Sequence, residues 1–171
     1  MERDGDLDFR LADPGADEAT LGLLLAEMLE HYNPGRLRPP EAAGSRAAAI
    51  LQAWPGCEVL IAWQAGKPLA MAAFSMVFPA EGVETQMLMK DLFVTRDARS
   101  QGIGERLLRA LARLAAERGG VRLDWTTDAG NAGALAFYDR IGAERIRSKV
   151  YFRFDAAALR AFAEGGEGKR G

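Results

Sequence analysis

The sequence predicts an α/β fold on one mixed sheet, and three observations lead there. Apolar residues alternate at period two in several short runs. They recur at helical spacing in others, and a glycine-rich turn at Gly102 and Gly104 joins one run of each kind. The strand, helix and strand over 85–126 require a right-handed parallel crossover, whereas the hairpin ahead of them requires antiparallel pairing.

Each element follows from its own pattern. Leu7, Phe9 and Leu11 alternate with Asp8 and Arg10 as a half-buried strand, which Ala12-Asp13-Pro14-Gly15 ends. A helix then covers 17–32, with Leu21, Leu24, Leu25, Met28 and Leu29 on one stripe and Asn33-Pro34-Gly35 as its stop. A weaker helix covers 41–54. Val59, Ile61 and Trp63 precede the turn Ala65-Gly66-Lys67-Pro68, and 69–78 runs apolar to Pro79, which reads as a hairpin. The loop 79–82 leads to a strand over 85–94 and then, past the glycine turn, to a helix over 103–118. Ile103, Leu107, Leu108, Leu111, Leu114 and Ala115 form its apolar stripe, opposite a solvated face with Arg106, Arg109, Arg113 and Glu117. Gly119-Gly120 closes that helix, and 121–126 alternates as the next strand. Asn131 caps a short helix ending near Gly142, 146–154 reads as a last strand, and Asp155 opens a terminal helix before a flexible tail at 164–171.

At 171 residues, 49% of them hydrophobic, the chain has material for one core, and 1–163 reads as a single domain. A net charge of −2 argues against a surface built to hold nucleic acid and suits a cationic small molecule better. No apolar run approaches the roughly 20 residues that span a bilayer, and Met1-Glu2-Arg3-Asp4-Gly5-Asp6 is too charged for a signal peptide. A soluble cytoplasmic protein without membrane contact is therefore expected. The single cysteine, Cys57, leaves no disulfide framework and is expected to be a small buried hydrophobe at a strand start.

Arg99-Ser100-Gln101-Gly102-Ile103-Gly104 opens a helix directly after a strand, where bare backbone N–H groups and the helix dipole suit a phosphate. A dinucleotide fingerprint needs a third glycine where Leu107 stands. A P-loop needs Gly-Lys-Ser/Thr where Gly104-Glu105-Arg106 stands. What remains is Arg-x-x-Gly-x-Gly after Asp91-Leu92-Phe93-Val94-Thr95, followed at a distance by Asn131-Ala132-Gly133-Ala134-Leu135-Ala136-Phe137-Tyr138 and Ile141-Gly142-Ala143. These two segments resemble the acetyl-CoA motifs of the GCN5-related N-acetyltransferase (GNAT) family, and within it the diamine and polyamine acetyltransferases. Where those enzymes carry Glu-Asp, this chain has Lys90-Asp91.

The resemblance implies a single mixed twisted sheet of six to seven strands with helices on both faces and a parallel pair at the acetyl-CoA site. It implies an acetyl-CoA dependent N-acetyltransferase acting on a primary amine of a small molecule by direct attack in a ternary complex, without metal. Acetylation of a protein N-terminus or lysine, or non-catalytic acyl-CoA binding, are the alternatives. A homodimer is expected from the family's habit of pairing subunits.

The N–H groups of Gln101, Gly102, Ile103, Gly104, Glu105 and Arg106 are the expected pyrophosphate cradle, and Arg99 either adds a charge-assisted contact or is solvated. The resemblance places the backbone N–H of the Phe93 to Val94 region at the thioester oxygen. It sets Asn131 and Ala134 along the CoA arm, with Tyr138 at the sulfur; read without it, Asn131 only caps its helix and Tyr138 only packs. The thiolate of a thiol near 8.5 is a weaker base than a phenolate near 10, so full proton transfer from Tyr138 is uphill by about 2 kcal/mol, and hydrogen bonding to the sulfur is the easier role.

An amine of pKa about 10.4 costs roughly 4.6 kcal/mol to deprotonate at pH 7, so a base or a water relay is needed. Asp91 is the first candidate, with Glu84, Glu81 and Asp124 behind it. Acceptor-side candidates are His31, Tyr32, Glu81, Glu84 and Lys90; His31 either borders the pocket or serves as a charge at its helix C-terminus.

Overall fold

In the computed structural model, which describes residues 2–35 and 38–165, the alternating runs become six strands. They are β1 (Glu2–Asp4), β2 (Leu7–Leu11), β3 (Cys57–Gln64), β4 (Lys67–Val77), β5 (Thr85–Val94) and β6 (Gly120–Trp125). They pair in chain order, antiparallel from β1 to β5 and parallel between β5 and β6. The helices are α1 (Glu18–Tyr32), α2 (Pro40–Ala53), α3 (Ile103–Glu117), α4 (Ala132–Arg140) and α5 (Ala156–Ala163). Contacts divide the chain into a unit Met1–Gly130, which holds the sheet with α1 to α3, and a unit Asn131–Gly171, which holds α4 and α5.

Strand alternation distributes the first unit's core over two faces of the sheet. Val59 and Ile61 of β3, Met71 of β4 and Phe93 of β5 pack with Leu21, Leu24 and Met28 of α1. The intervening Leu60, Ala62, Ala70 and Ala72 are buried on the opposite face, together with Phe9, whose β2 position pairs with Ala62. There α3 lies across β3 to β6 and buries Leu107, Leu108 and Leu111.

Two contacts fix the first half of α1. It crosses α2 backbone to backbone: a Cβ on Gly22 would lie 2.2 Å from the Pro40 carbonyl oxygen, and one on Gly44 would lie 2.4 Å from the Glu18 carbonyl oxygen. Asp17 occupies the cap position but does not cap the helix; its carboxylate turns back to take both Arg10 guanidinium nitrogens, at 2.6 and 2.8 Å, and the Asp13 N–H at 2.9 Å. Asp17 is buried, and the Arg10 hydrogen bonds hold its carboxyl below the usual range in spite of that burial. Arg10 in turn stacks over Trp63, 4.3 Å from the ring centroid.

The structure departs from the sequence reading at four places. Glu2–Asp4 forms a short edge strand that its charges conceal. The segment 146–154 is not a strand: its own unit contains α4 and α5 but, among the described residues, no other strand with which to form a ladder, so alternation alone finds no hydrogen-bond partners. Cys57 is exposed instead of buried, with the Ser75 hydroxyl 3.8 Å from its sulfur. Arg106, expected on the solvated face of α3, reaches Asp4 at 2.8 Å and Asp6 at 3.1 Å and so ties α3 to the β1–β2 hairpin. Of the expected tail, 166–171 lies outside the described residues.

Gly22→Ala is expected to lower unfolding free energy by about 1–3 kcal/mol in a urea titration, against the gain of about 1 kcal/mol that alanine brings to an isolated helix. Asp17 contributes stability that is complete above its unfolded pKa of about 3.9 and is lost as pH falls through the lower folded value. Asp17→Asn is therefore expected to cost about 1–3 kcal/mol at pH 7 and to flatten the decline in stability below about pH 4.

Candidate active site

The site is built where β5 runs out between two neighbours. β4 accompanies it from Gln86 to Val94, whereas β6 pairs only as far as Met89 opposite Trp125. From Lys90 to Val94 the β6 side of the strand carries no ladder among the described residues. The Thr95 N–H donates to the Leu69 oxygen at 2.9 Å, which turns Thr95 and Phe93 toward β4; alternation then turns the backbone groups of Leu92 and Val94 to the open edge. Of the two amides considered for the thioester oxygen, that of Val94 is the one on this edge. Arg99 Nε already takes the Val94 carbonyl at 3.1 Å, and the guanidinium lies over the Phe93 ring at 5.6 Å, so its place is set by the strand end.

The open edge leads into the start of α3. Gly102 adopts φ +76°, a left-handed turn that costs side-chain-bearing residues about 1–2 kcal/mol, and no side chain caps the helix. The first intrahelical bond is Arg106 N–H to Gly102 oxygen at 3.1 Å, which leaves the amides of Ile103 and Gly104 ahead of the helix ladder and removes that of Arg106 from the expected cradle. A Cβ on Gly104 would sit 3.4 Å from Val94 Cγ2, so this residue lets the helix begin close against β5. Gln101 spends its side-chain amide on the Asp97 carbonyl at 2.9 Å, and Glu105 pairs with Arg109 at 2.8 Å.

A bulge decides what faces the C-terminal end of α1. Ala73 opposes Asp91 and Phe74 opposes Met89, so Lys90 is the extra residue. Met89 shares the α3 face with Phe74. Asp91 and Phe93, of the same parity, are turned to the α1 face with Ala73 and Met71. On that face burial of the Tyr32 phenol at the end of α1, reinforced by the Asp91 charge and opposed by Arg99, raises its pKa above the ordinary value. The His31 ring lies 5.2 Å from Tyr32 and 6.4 Å from Phe93. The Lys90 ammonium, on a largely exposed side chain, stands 3.4 Å from the Asp91 carboxylate.

His31, Tyr32, Lys90, Asp91, Phe93 and Arg99 thus come together, while Glu81 and Glu84 do not join them. The two glutamates precede β5, and seven residues of strand put Glu84 roughly 23 Å from Asp91. Asp124 is engaged by Arg122 at 3.1 Å and Gln86 at 3.3 Å. Two participants were not expected. Glu27 of α1 accepts the Arg96 N–H at 2.7 Å and binds α1 to the turn after β5, and the Thr95 hydroxyl in that turn is buried without a partner. Neither gives a sequence signal, since Glu27 reads as one more polar helix residue.

Within its own unit, α4 carries the second motif. The Asn131 side-chain oxygen accepts the Ala134 N–H at 3.0 Å and so caps the helix, and the Tyr138 ring lies 5.1 Å from that of Phe137. Among the described residues no cluster of three or more His, Cys, Asp and Glu side chains could hold a metal ion, and no helix is long and apolar enough to cross a membrane.

An open strand edge leading into uncapped helix amides is a site for an extended ligand with an anionic end. The chain belongs to the acetyltransferase (GNAT) family, whose profile matches residues 25–143. It is 31% identical over 107 residues to a thialysine N-epsilon-acetyltransferase of Caenorhabditis elegans, covering 61% of this chain and 66% of the relative. It is 28% identical over 96 residues to an L-ornithine N5-acetyltransferase of Arabidopsis thaliana, covering 54% of this chain and 42% of the relative. The matched part therefore spans just under two thirds of the first relative and under half of the second. An integron cassette protein from the mobile metagenome of V. cholerae superposes with a TM-score of 0.81 at 31% identity, covering 93% of this chain and 98% of that one.

Deleting Lys90 removes the bulge and turns Phe93 off the α1 core. A loss of about 3 kcal/mol or more is expected in urea titration, whereas Lys90→Ala at the same exposed position is expected to stay within about 0.5 kcal/mol of the parent.

Proposed function

We propose that this protein transfers the acetyl group of acetyl-CoA to a primary amine of a small molecule by direct attack in a ternary complex. The observation that carries this is the continuity of the open Leu92 to Val94 edge with the uncapped amides at Ile103 and Gly104. Membership of the family and the two curated relatives, both named for acetyl transfer to an amino group, support it.

Acetyl-CoA supplies an acyl group already activated as a thioester, and the residues of this chain hold it and move a proton. The amides of Ile103 and Gly104 take the pyrophosphate, helped by the positive end of the α3 dipole. The Leu92 and Val94 backbone groups lie along the pantetheine, with the Val94 N–H donating to the acetyl oxygen as charge develops on it. Asp91 takes the proton of the ammonium, directly or through water, so that the amine nitrogen is free to attack. The new C–N bond forms as the C–S bond breaks; the electron pair leaves on sulfur, to which the Tyr138 hydroxyl donates a hydrogen bond, and the second proton of the attacking nitrogen passes through water to that thiolate, leaving the neutral amide and the free CoA thiol. We take the enzyme to work in the cytoplasm as a homodimer, without metal, nucleic acid or membrane, in keeping with its net charge of −2.

The test is release of free CoA across diamines, polyamines, amino acids and peptides. Saturable release that needs both acetyl-CoA and a small primary amine is expected. Tyr138→Phe is expected to lower kcat about tenfold or more while the KM for acetyl-CoA stays within about twofold. Acetylation of peptides alone would replace the small-molecule acceptor, and acetyl-CoA binding without turnover on any amine would replace the enzyme by a sensor.

A further inference from the structure

The acceptor end of the site carries both signs of charge within one small cluster. Asp91 offers a carboxylate on the α1 face, and the Lys90 ammonium of the bulge stands 3.4 Å from it. Arg99, over the Phe93 ring, adds a second cation, and its guanidinium is anchored to the Val94 carbonyl. A polycationic amine would bring a second ammonium into a cluster that already holds the Lys90 and Arg99 cations, and like charges repel. A single ammonium on Asp91 with a carboxylate nearby meets no such penalty.

We propose that Lys90 is the residue that selects an amino-acid acceptor bearing a second amino group, the class named in both curated relatives, by recognising its carboxylate. This rests on the acetyltransferase reading above and names a specificity-determining residue of that site. The Lys90 side chain is 76% exposed, so it is free to swing from Asp91 to an incoming carboxylate. The exchange leaves Asp91 to the reacting amine. It also explains a lysine at the bulge in physical terms: an extra strand residue projects where no ladder neighbour constrains it, and a long cationic chain there reaches a ligand that the strand itself does not touch.

The experiment compares kcat/KM for ornithine with putrescine and for lysine with cadaverine, pairs that differ only by the carboxylate, in the full chain with acetyl-CoA and with product identified by mass. The parent is expected to prefer the amino acid of each pair by about tenfold, the weight of one charge-assisted contact in a partly solvated site. Lys90→Met is expected to bring each ratio to within about twofold of unity, and Lys90→Glu to invert it, with thermal melts showing that both variants fold. Equal or better turnover of the diamines by the parent overturns the proposal, as does a preference for amino acids that survives Lys90→Met. Acetylation of other amines but none of these four overturns the substrate class alone. Absence of turnover on every amine overturns the acetyltransferase reading with it.

Discussion

The extra residue at Lys90 in the ladder between β4 and β5 is the constraint on which the candidate site depends. Up to Met89 the strand is an ordinary inner strand, held by β4 and β6 and burying Met87 and Met89 on the α3 side. One residue later the parity of the strand has changed, so that Asp91 and Phe93 face α1 while β4 continues alongside without interruption. β6 stops pairing at the same point. A single inserted residue therefore does two things at once: it presents a carboxylate to the end of α1, and it coincides with the release of the Leu92 and Val94 backbone groups from any strand neighbour. Sheets place bulges where a side chain has to be re-aimed, because a one-residue slip costs little in the ladder and exchanges the two faces completely.

Other contacts hold the two sides of that cluster in place. α1 carries His31 and Tyr32, and its position is set by the glycine crossing with α2, by the buried Asp17 carboxylate on Arg10 and by Glu27 on the backbone after β5. None of these three contacts touches the reacting groups. The first ties α1 to α2, the second ties its start to β2, and only Glu27 ties it directly to the backbone after β5, on the side where an amine would meet Asp91. On the opposite face α3 is positioned by its buried leucines and by Arg106 on Asp4 and Asp6, which fixes the uncapped amides at the end of the open edge.

Charge divides the site into two ends. At the α3 start the partial positive charge of the helix is unopposed by any capping side chain, which suits an anionic group. At the α1 end one carboxylate, one phenol and the cations Lys90 and Arg99 lie together, and burial, with the Asp91 charge behind it and Arg99 opposing, raises the Tyr32 phenol above its ordinary pKa. A ligand spanning both ends has a polyanionic tail and a reacting centre in a mixed field.

The sequence by itself determined the element order and the glycine turn, because hydrophobic period and backbone conformation are local properties. Leu107 through Ala115 could only be an amphipathic helix, and Gly102 at φ +76° stands where a tight turn needs it. It also determined the family, through two short motifs whose residue types are matched to a phosphate and to a helix start. The tertiary structure alone decided which face Asp91 occupies, since the period of 85–94 reads as unbroken and the bulge exists only in pairing with β4. It decided as well that 146–154 forms no strand and that Arg106 turns to the β1–β2 hairpin. Strand pairing, register and ion-pair choice are relations between distant segments, and no local pattern encodes the distance between two residues that meet only after the chain has folded.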